Sequence, residues 1–394
     1  MNNSLFARMP FWLKRLAPLL LLIFVSACGD LSKSDSSVDY SEPPLVATKP
    51  EAPNQGLYLG ALLLTGQTSI AQFNTKTGVK HALFAEFLQF PRVLDTNDSE
   101  YGKIVSFIKE CKTNGAQPML TLETPGGLAS YTRDQIVAFA DFLYNSDVSI
   151  FLRWNHEMNG SWYAWGQQPA LFIAKFREFA DIIHARAPNV AMAWTPNQAW
   201  GYPWPTTPSR TTPGSADFAL LDTNKDGVIT DADDPYTPYY PGDAYVDWVG
   251  HSFYHWSNRS ARGYNEIPYA GKWGQANGIG NSVPNFHDLF AVGHNKPMMI
   301  AETSALFDPL DKNGGSADEA DIKTGWMGQV YNLSDSNYPS LRRDFPKLKA
   351  IFWFSQKKYE PEVGTDIDWQ LDSNQTVSDH YRRMTLDSYF IKGK

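Results

Sequence analysis

The chain holds only two cysteines in 394 residues, Cys28 and Cys111. That scarcity excludes a disulfide-stapled fold, so stability must come from a large apolar core, with a bound metal as a possible supplement. Basic residues are also in deficit, 34 Lys and Arg against 42 Asp and Glu, a net charge of −8. No basic stripe is present to neutralise phosphates, and a nucleic-acid partner is excluded. Beyond the first 25 residues no apolar run is long enough to span a bilayer. Aromatics, in contrast, are abundant: thirteen Trp and nineteen Tyr exceed what packing alone calls for. With 43% apolar residues, the chain has material for one large domain or two ordinary ones.

The N-terminus reads as a targeting segment. Arg8, Lys14 and Arg15 precede the apolar run Leu16–Val25, and Val25-Ser26-Ala27-Cys28 follows. This order resembles a bacterial lipoprotein signal covering residues 1–27, cleaved before Cys28, whose thiol then carries lipid. Gly29 follows Cys28, and Asp30 stands one place later. Without Asp directly after the lipidated Cys, the expected location is the outer membrane, facing the periplasm or the cell surface. Residues 28–55, rich in Ser, Asp and Pro, read as a flexible tether, and 56–394 as the folded domain. Cys111 lies in a helix-like stretch and reads as a buried packing residue rather than a nucleophile.

Eight short apolar runs recur along this domain, beginning with Leu57–Leu64 and ending with Leu348–Phe354. Amphipathic stretches lie between them. In Ala170–Arg186, Phe172, Phe176, Phe179, Ile182 and Ile183 are spaced as one helix face requires. Strand-like runs alternating with helices predict an α/β fold, a closed (β/α)8 barrel (TIM barrel), with an open doubly wound sheet as the rival. In such a barrel the chemistry gathers where the strands end, at the C-terminal face.

The fourth run empties into Arg153-Trp154-Asn155-His156-Glu157-Met158-Asn159-Gly160-Ser161-Trp162, with Tyr163 and Trp165 close behind. Burying Arg, His and Glu together is costly unless they are paired or used. A carboxylate among tryptophans suits a ligand with apolar faces and a bond that needs acid catalysis, and a sugar has both. Glycosidic hydrolysis requires two carboxyl groups. Glu302, in Ile300-Ala301-Glu302-Thr303 at the end of the seventh run, is the natural partner of Glu157.

Taken together, Arg153, His156-Glu157-Met158-Asn159-Gly160, Trp162, Tyr254, Glu302 and Trp353 resemble glycoside hydrolase family 26 from about Leu57 to Trp369. This family belongs to the clan of barrel glycosidases with catalytic glutamates on strands four and seven. The resemblance implies a retaining hydrolase of β-linked polysaccharide or oligosaccharide, acting as a monomer without a catalytic cofactor. Glu157 would be the acid/base and Glu302 the nucleophile. Arg153, His156, Trp162, Trp165, Tyr254 and Trp353 would bind substrate or orient the site. Within the family, endo-β-1,4-mannanase is the leading expectation, with a β-1,3-1,4-glucanase or an exopolysaccharide-trimming hydrolase as alternatives. A glycan-binding lipoprotein without turnover is the rival from another class. Mannan-active members often bring an additional His from an early loop; here Glu123 stands in such a place.

Asp222-Thr223-Asn224-Lys225-Asp226-Gly227-Val228-Ile229-Thr230-Asp231-Ala232-Asp233 has the spacing of a twelve-residue EF-hand loop inserted between the fifth and sixth strands. The expected ligands of a structural Ca²⁺ are Asp222, Asn224, Asp226, the Val228 carbonyl, Thr230 and Asp233, with Asp233 in place of the usual Glu. The ion would order the Pro-, Tyr- and Trp-rich excursion around it.

Overall fold

A computed structural model describes residues 47–64, 66–204 and 211–394. The lipoprotein signal, Cys28 and residues 28–46 of the tether lie outside the described residues. Eight strands run in sequence order and close with β1 paired to β8, all neighbours parallel. They are β1 (Leu57–Leu63), β2 (Leu83–Gln89), β3 (Gln117–Glu123), β4 (Ile150–Trp154), β5 (Val190–Trp194), β6 (Trp248–Ser252), β7 (Met298–Thr303) and β8 (Leu348–Ser355). The outer layer carries α1 (Ile70–Thr77), α2 (Ser99–Thr113), α3 (Arg133–Asn145), α4 (Pro169–Arg186), α5 (Ala216–Leu221), α6 (Lys272–Ala276), α7 (Glu319–Val330) and α8 (Gln375–Met384). The closed barrel expected from the apolar runs is therefore present, and the open sheet is excluded. Its shape is shared with solved barrel enzymes reported below.

Local chemistry starts and stops these elements. Thr132 caps α3, accepting from the amide of Gln135 while the Gln135 side chain reaches back to the Thr132 amide. Pro169 opens α4, where its missing amide hydrogen costs nothing. Along the strands, alternate residues divide between two cores. Phe151, Ala191, Ala193, Met299, Ala301 and Phe352 fill the barrel interior. Ile150, Leu152 and Trp154 turn outward, and Trp154 packs on Phe172, Phe176 and Phe179 of α4 at ring distances of 5.4, 5.9 and 5.5 Å. Cys111 is fully buried in this outer layer.

Residues 47–52 depart from the expected tether. The Ala47 amide donates to Asp147 (3.1 Å), Lys49 pairs with Asp247 (2.6 Å), and Trp248 donates to the Pro50 carbonyl (3.3 Å). Ala52 packs against the interior core. The segment is fixed because an open barrel bottom would expose that core to water, and composition alone does not reveal this. Beside it a short strand, Phe390–Ile391, pairs with Leu57 and Tyr58. At the other end Lys357–Glu360 and Thr365–Asp368 form an antiparallel hairpin after β8. Among the described residues no helix is long and apolar enough to cross a membrane.

Candidate active site

The C-terminal end of the barrel holds a cavity of about 400 Å³ whose wall includes Glu123, Glu157, Trp162, Tyr254, Glu302 and Phe354. Each catalytic candidate arrives there by an identifiable local device. Arg153 shares the inward parity of Phe151 on β4, which carries its guanidinium up the barrel axis. Glu302 by parity would face outward with Met298 and Ile300. The pairing of β7 with both neighbours slips at this point, between His251 and Ser252 on one side and between Ile300 and Thr303 on the other. The irregularity turns Glu302 to the mouth, while Thr303 goes outward to accept from Trp326 (3.0 Å). Bulges of this kind re-aim side chains beside active sites.

Glu157 lies just past β4 with φ of 52°, a left-handed conformation unusual for a non-glycine residue. It is held there by its amide, which donates to the Thr195 carbonyl (2.9 Å), and by Asn159, whose side chain clamps the backbone of Asn197 at 2.8 and 2.9 Å. Strain of this sort persists where the surroundings over-determine it. The Trp162 indole donates to Glu157 Oε2 (2.9 Å). Gly160 makes that contact possible: a Cβ there would sit 2.3 Å from the Trp162 ring.

One buried network joins the two glutamates. The Arg153 guanidinium donates to Thr195 Oγ1 (2.7 Å), to Ser252 Oγ (2.8 Å) and to Glu302 Oε1. The Tyr254 hydroxyl donates to Glu302 Oε2. Burial and then the negative charge of Glu302 push the Glu157 carboxyl up to about 7, against the opposing pull of Arg153, Ser252 and Trp162. Burial, with Glu302 second, raises the Tyr254 hydroxyl well above its ordinary value, so it stays a donor. Burial and the Arg153 charge drive His156 far below the usual range. His156 is thus a neutral ring, 3.1 Å from the Tyr163 hydroxyl and packed against Phe87 and Trp165.

Of the expected site residues, Glu157, Glu302, Trp162 and Tyr254 line the cavity. Arg153 lies beneath them and His156 behind Tyr163. Trp165 and Trp353 do not reach the cavity, and their expected sugar contacts are corrected. Trp165 is 2% exposed, donates to the His156 carbonyl (2.7 Å) and stacks under Tyr163 at 4.4 Å, so it braces a wall residue. Trp353 is fully buried on the outward face of β8, where its indole donates to the Trp369 carbonyl (3.0 Å). Its neighbour Phe354 points inward and takes the wall position. Ser252 and Thr195 had no sequence signal, and neither had the hairpin after β8, which adds Lys358, Glu360 and Glu362 to the wall.

The Asp222–Asp233 loop lies between β5 and β6 as expected, and Gly227 has the positive φ of 87° that its sharp turn needs. Its side chains are bonded to its own backbone. Asp222 accepts from the amides of Asp226 and Gly227 at 3.1 and 2.9 Å. Asp233 accepts from those of Thr223, Asn224 and Thr230 at 2.7, 3.2 and 2.8 Å. Among the described residues no group of three or more His, Cys, Asp or Glu side chains comes together to hold a metal ion. The oxygens suit calcium in kind, but Asp233 is turned to amides instead of converging with the rest.

A parallel eight-stranded barrel with glutamates at the ends of β4 and β7, one retaining its proton near neutrality, is the architecture of a glycosidase. Residues 124–209, which include Glu157, match the family model described as glycosyl hydrolase family 26. A curated relative, endoglucanase H of Acetivibrio thermocellus, is 24% identical over 353 residues, 84% of this chain. The match spans only 30% of that longer protein. A family 26 β-mannanase from Bacteroides ovatus shares the fold with a TM-score of 0.53 at 14% identity, covering 86% of this chain and 91% of that one. The catalytic domain of an endo-β-1,4-mannanase from Bacillus sp. JAMB-750 does so with a TM-score of 0.51 at 13% identity, covering 86% and 87%. On the motif, the model match and the shared fold, the chain belongs to glycosyl hydrolase family 26.

Proposed function

We propose that this protein is a retaining β-glycoside hydrolase, with endo-β-1,4-mannan as the first substrate to test. The observation that carries the proposal is the unequal treatment of two carboxyl groups in one cavity. Glu302 is gripped at both oxygens by Arg153 and Tyr254, while Glu157 meets a single indole and holds its proton to about 7. A Glu302 oxygen attacks the anomeric carbon, the bond to the departing sugar breaks, and the Glu157 proton moves to the leaving oxygen. Esterification removes the Glu302 charge and with it part of the upward pressure on Glu157. Glu157 then takes a proton from water, the water oxygen bonds to the anomeric carbon, and the ester to Glu302 breaks. The two structural relatives described above are mannanases, which favours mannan. The curated relative is named an endoglucanase, which keeps mixed-linkage β-glucan as the second reading.

Purified protein should be offered mannan, mixed-linkage glucan, xylans and bacterial exopolysaccharides, with product anomers followed by NMR. Retained configuration and mid-chain cleavage are expected; inversion would overturn the mechanism. Loss of turnover in Glu157→Gln and Glu302→Ala beside an active parent excludes a binding-only role.

The proposal includes a monomer tethered by lipid on Cys28 at the outer membrane, tested by fractionating a Cys28→Ala variant, which should become soluble. It also includes a structural calcium ion. Asp222 and Asp233 are 8% and 3% exposed and have no basic partner among the described residues, a charge burial that a divalent cation would relieve. Added Ca²⁺ should raise the melting temperature; an equal melting temperature in Ca²⁺ and in chelator removes the ion from the account.

A further inference from the structure

Glu123 ends β3 and lies in the cavity wall, yet the double displacement makes no use of it. Its backbone is rigid. The Phe90 amide donates to its carbonyl (2.7 Å), and the next residue, Thr124, is locked to Asn155 at 2.9 and 3.2 Å. Its carboxyl oxygens, though largely shielded from water, make no hydrogen bond or ion pair with any described residue.

Every other carboxylate of the wall is engaged. Glu302 has Arg153 and Tyr254, and Glu157 has Trp162. Glu360 accepts from Trp369 (2.9 Å) with Lys358 at 3.3 Å, and Glu362 lies 3.4 Å from Arg262. The cations of the wall are thereby engaged too. A shielded carboxyl without donors is costly, and fixed placement means it cannot fold away to find them.

Sugar hydroxyls are O–H donors of the required kind, and a carboxylate can accept from two of them at once. A uronic acid, by contrast, would find no unengaged cation and would face Glu123 itself. We propose that Glu123 is a substrate-binding residue that accepts hydrogen bonds from the hydroxyls of an uncharged sugar and excludes anionic sugars from the cavity. The inference rests on the glycosidase reading and names its substrate class as neutral glycans.

The test uses full-length Glu123→Ala and Glu123→Gln on whichever neutral glycan the parent cleaves, with circular dichroism and melting temperature confirming the fold. KM should rise about tenfold or more in the alanine variant, as loss of a charged hydrogen bond implies. The rate at saturation should stay within a few-fold. The glutamine variant should fall between, and a uronic-acid oligosaccharide should compete better against either variant than against the parent. Unchanged KM, a fall confined to kcat, or uronic-acid competition that ignores the substitution would each overturn the proposal. If the parent cleaves no glycan, the glycosidase reading fails by itself. Calorimetry with neutral oligosaccharides then decides this proposal separately, and equal affinities of parent and Glu123→Ala would sink it.

Discussion

Arg153 on β4 and Glu302 on β7 meet across the barrel axis, guanidinium to Oε1, with neither side chain more than 5% exposed. The same guanidinium holds hydroxyls on β5 and β6. Four consecutive strands are thus tied at the height where the catalytic pair emerges. The contact fixes the nucleophile's rotamer and links its position to closure of the barrel.

Replacing Arg153 should therefore cost both stability and activity. Arg153→Met leaves a buried carboxylate without its counter-charge, a loss of about 3–5 kcal/mol. Urea unfolding measures this directly. Arg153→Lys keeps the charge but cannot span Thr195, Ser252 and Glu302 together. Its turnover should fall by about 100-fold, since a small misplacement of a reacting group has that effect. Lysine kinetics equal to the parent would show that the three-way contact is dispensable.

The raised Glu157 carboxyl sets the sign of two pH responses. As general acid it must be protonated, so kcat/KM should decline as pH rises through about 7. For stability, a carboxyl raised in the folded state adds stability that is present below its ordinary value of 4.5 and lost as pH rises through about 7. Glu157→Gln removes the buried charge. Its melting temperature should exceed the parent's above pH 7 and converge with it toward pH 5. A parent curve that is flat over that range, or a glutamine variant that melts lower above pH 7, contradicts the shift.

The fold was legible because barrel strands and helix faces write two distinct periods into the chain. The catalytic pair was legible because Glu157 and Glu302 follow strand-like runs. Facing within a strand was less so. Leu348–Ser355 is apolar throughout, as strands buried on both faces are, so nothing in its sequence says that Phe354 rather than Trp353 looks inward. The slip in β7 that turns Glu302 around likewise has no residue signature. Ser252 and Thr195 are single hydroxyls without a pattern, and Ala47–Ala52 looks like a tether until the barrel bottom it covers is seen.

That facing gives paired variants with opposite outcomes. Trp353→Ala removes a fully buried indole from the outer core and should cost about 3–5 kcal/mol, with KM unchanged. Phe354→Ala removes a cavity wall and should raise KM with a smaller loss of stability. Melting curves and substrate saturation on the two proteins decide, and a raised KM in soundly folded Trp353→Ala would restore that tryptophan to the site.

Gly160 and Trp162 offer a way to move the acid without touching it. The indole hydrogen bond pulls the Glu157 carboxyl down, against burial and Glu302. Trp162→Phe keeps a ring but loses the donor, so the alkaline decline of kcat/KM should move to higher pH while turnover falls. In Gly160→Ala the new methyl would meet the Trp162 ring at 2.3 Å. The indole must then swing off Glu157, and the alkaline limb should shift in the same direction as in Trp162→Phe. A double variant should add little to either single one, because both act through one hydrogen bond. If the two shifts instead add in full, Gly160 is conserving something other than the indole's approach to the acid, and the coupling between them is refuted.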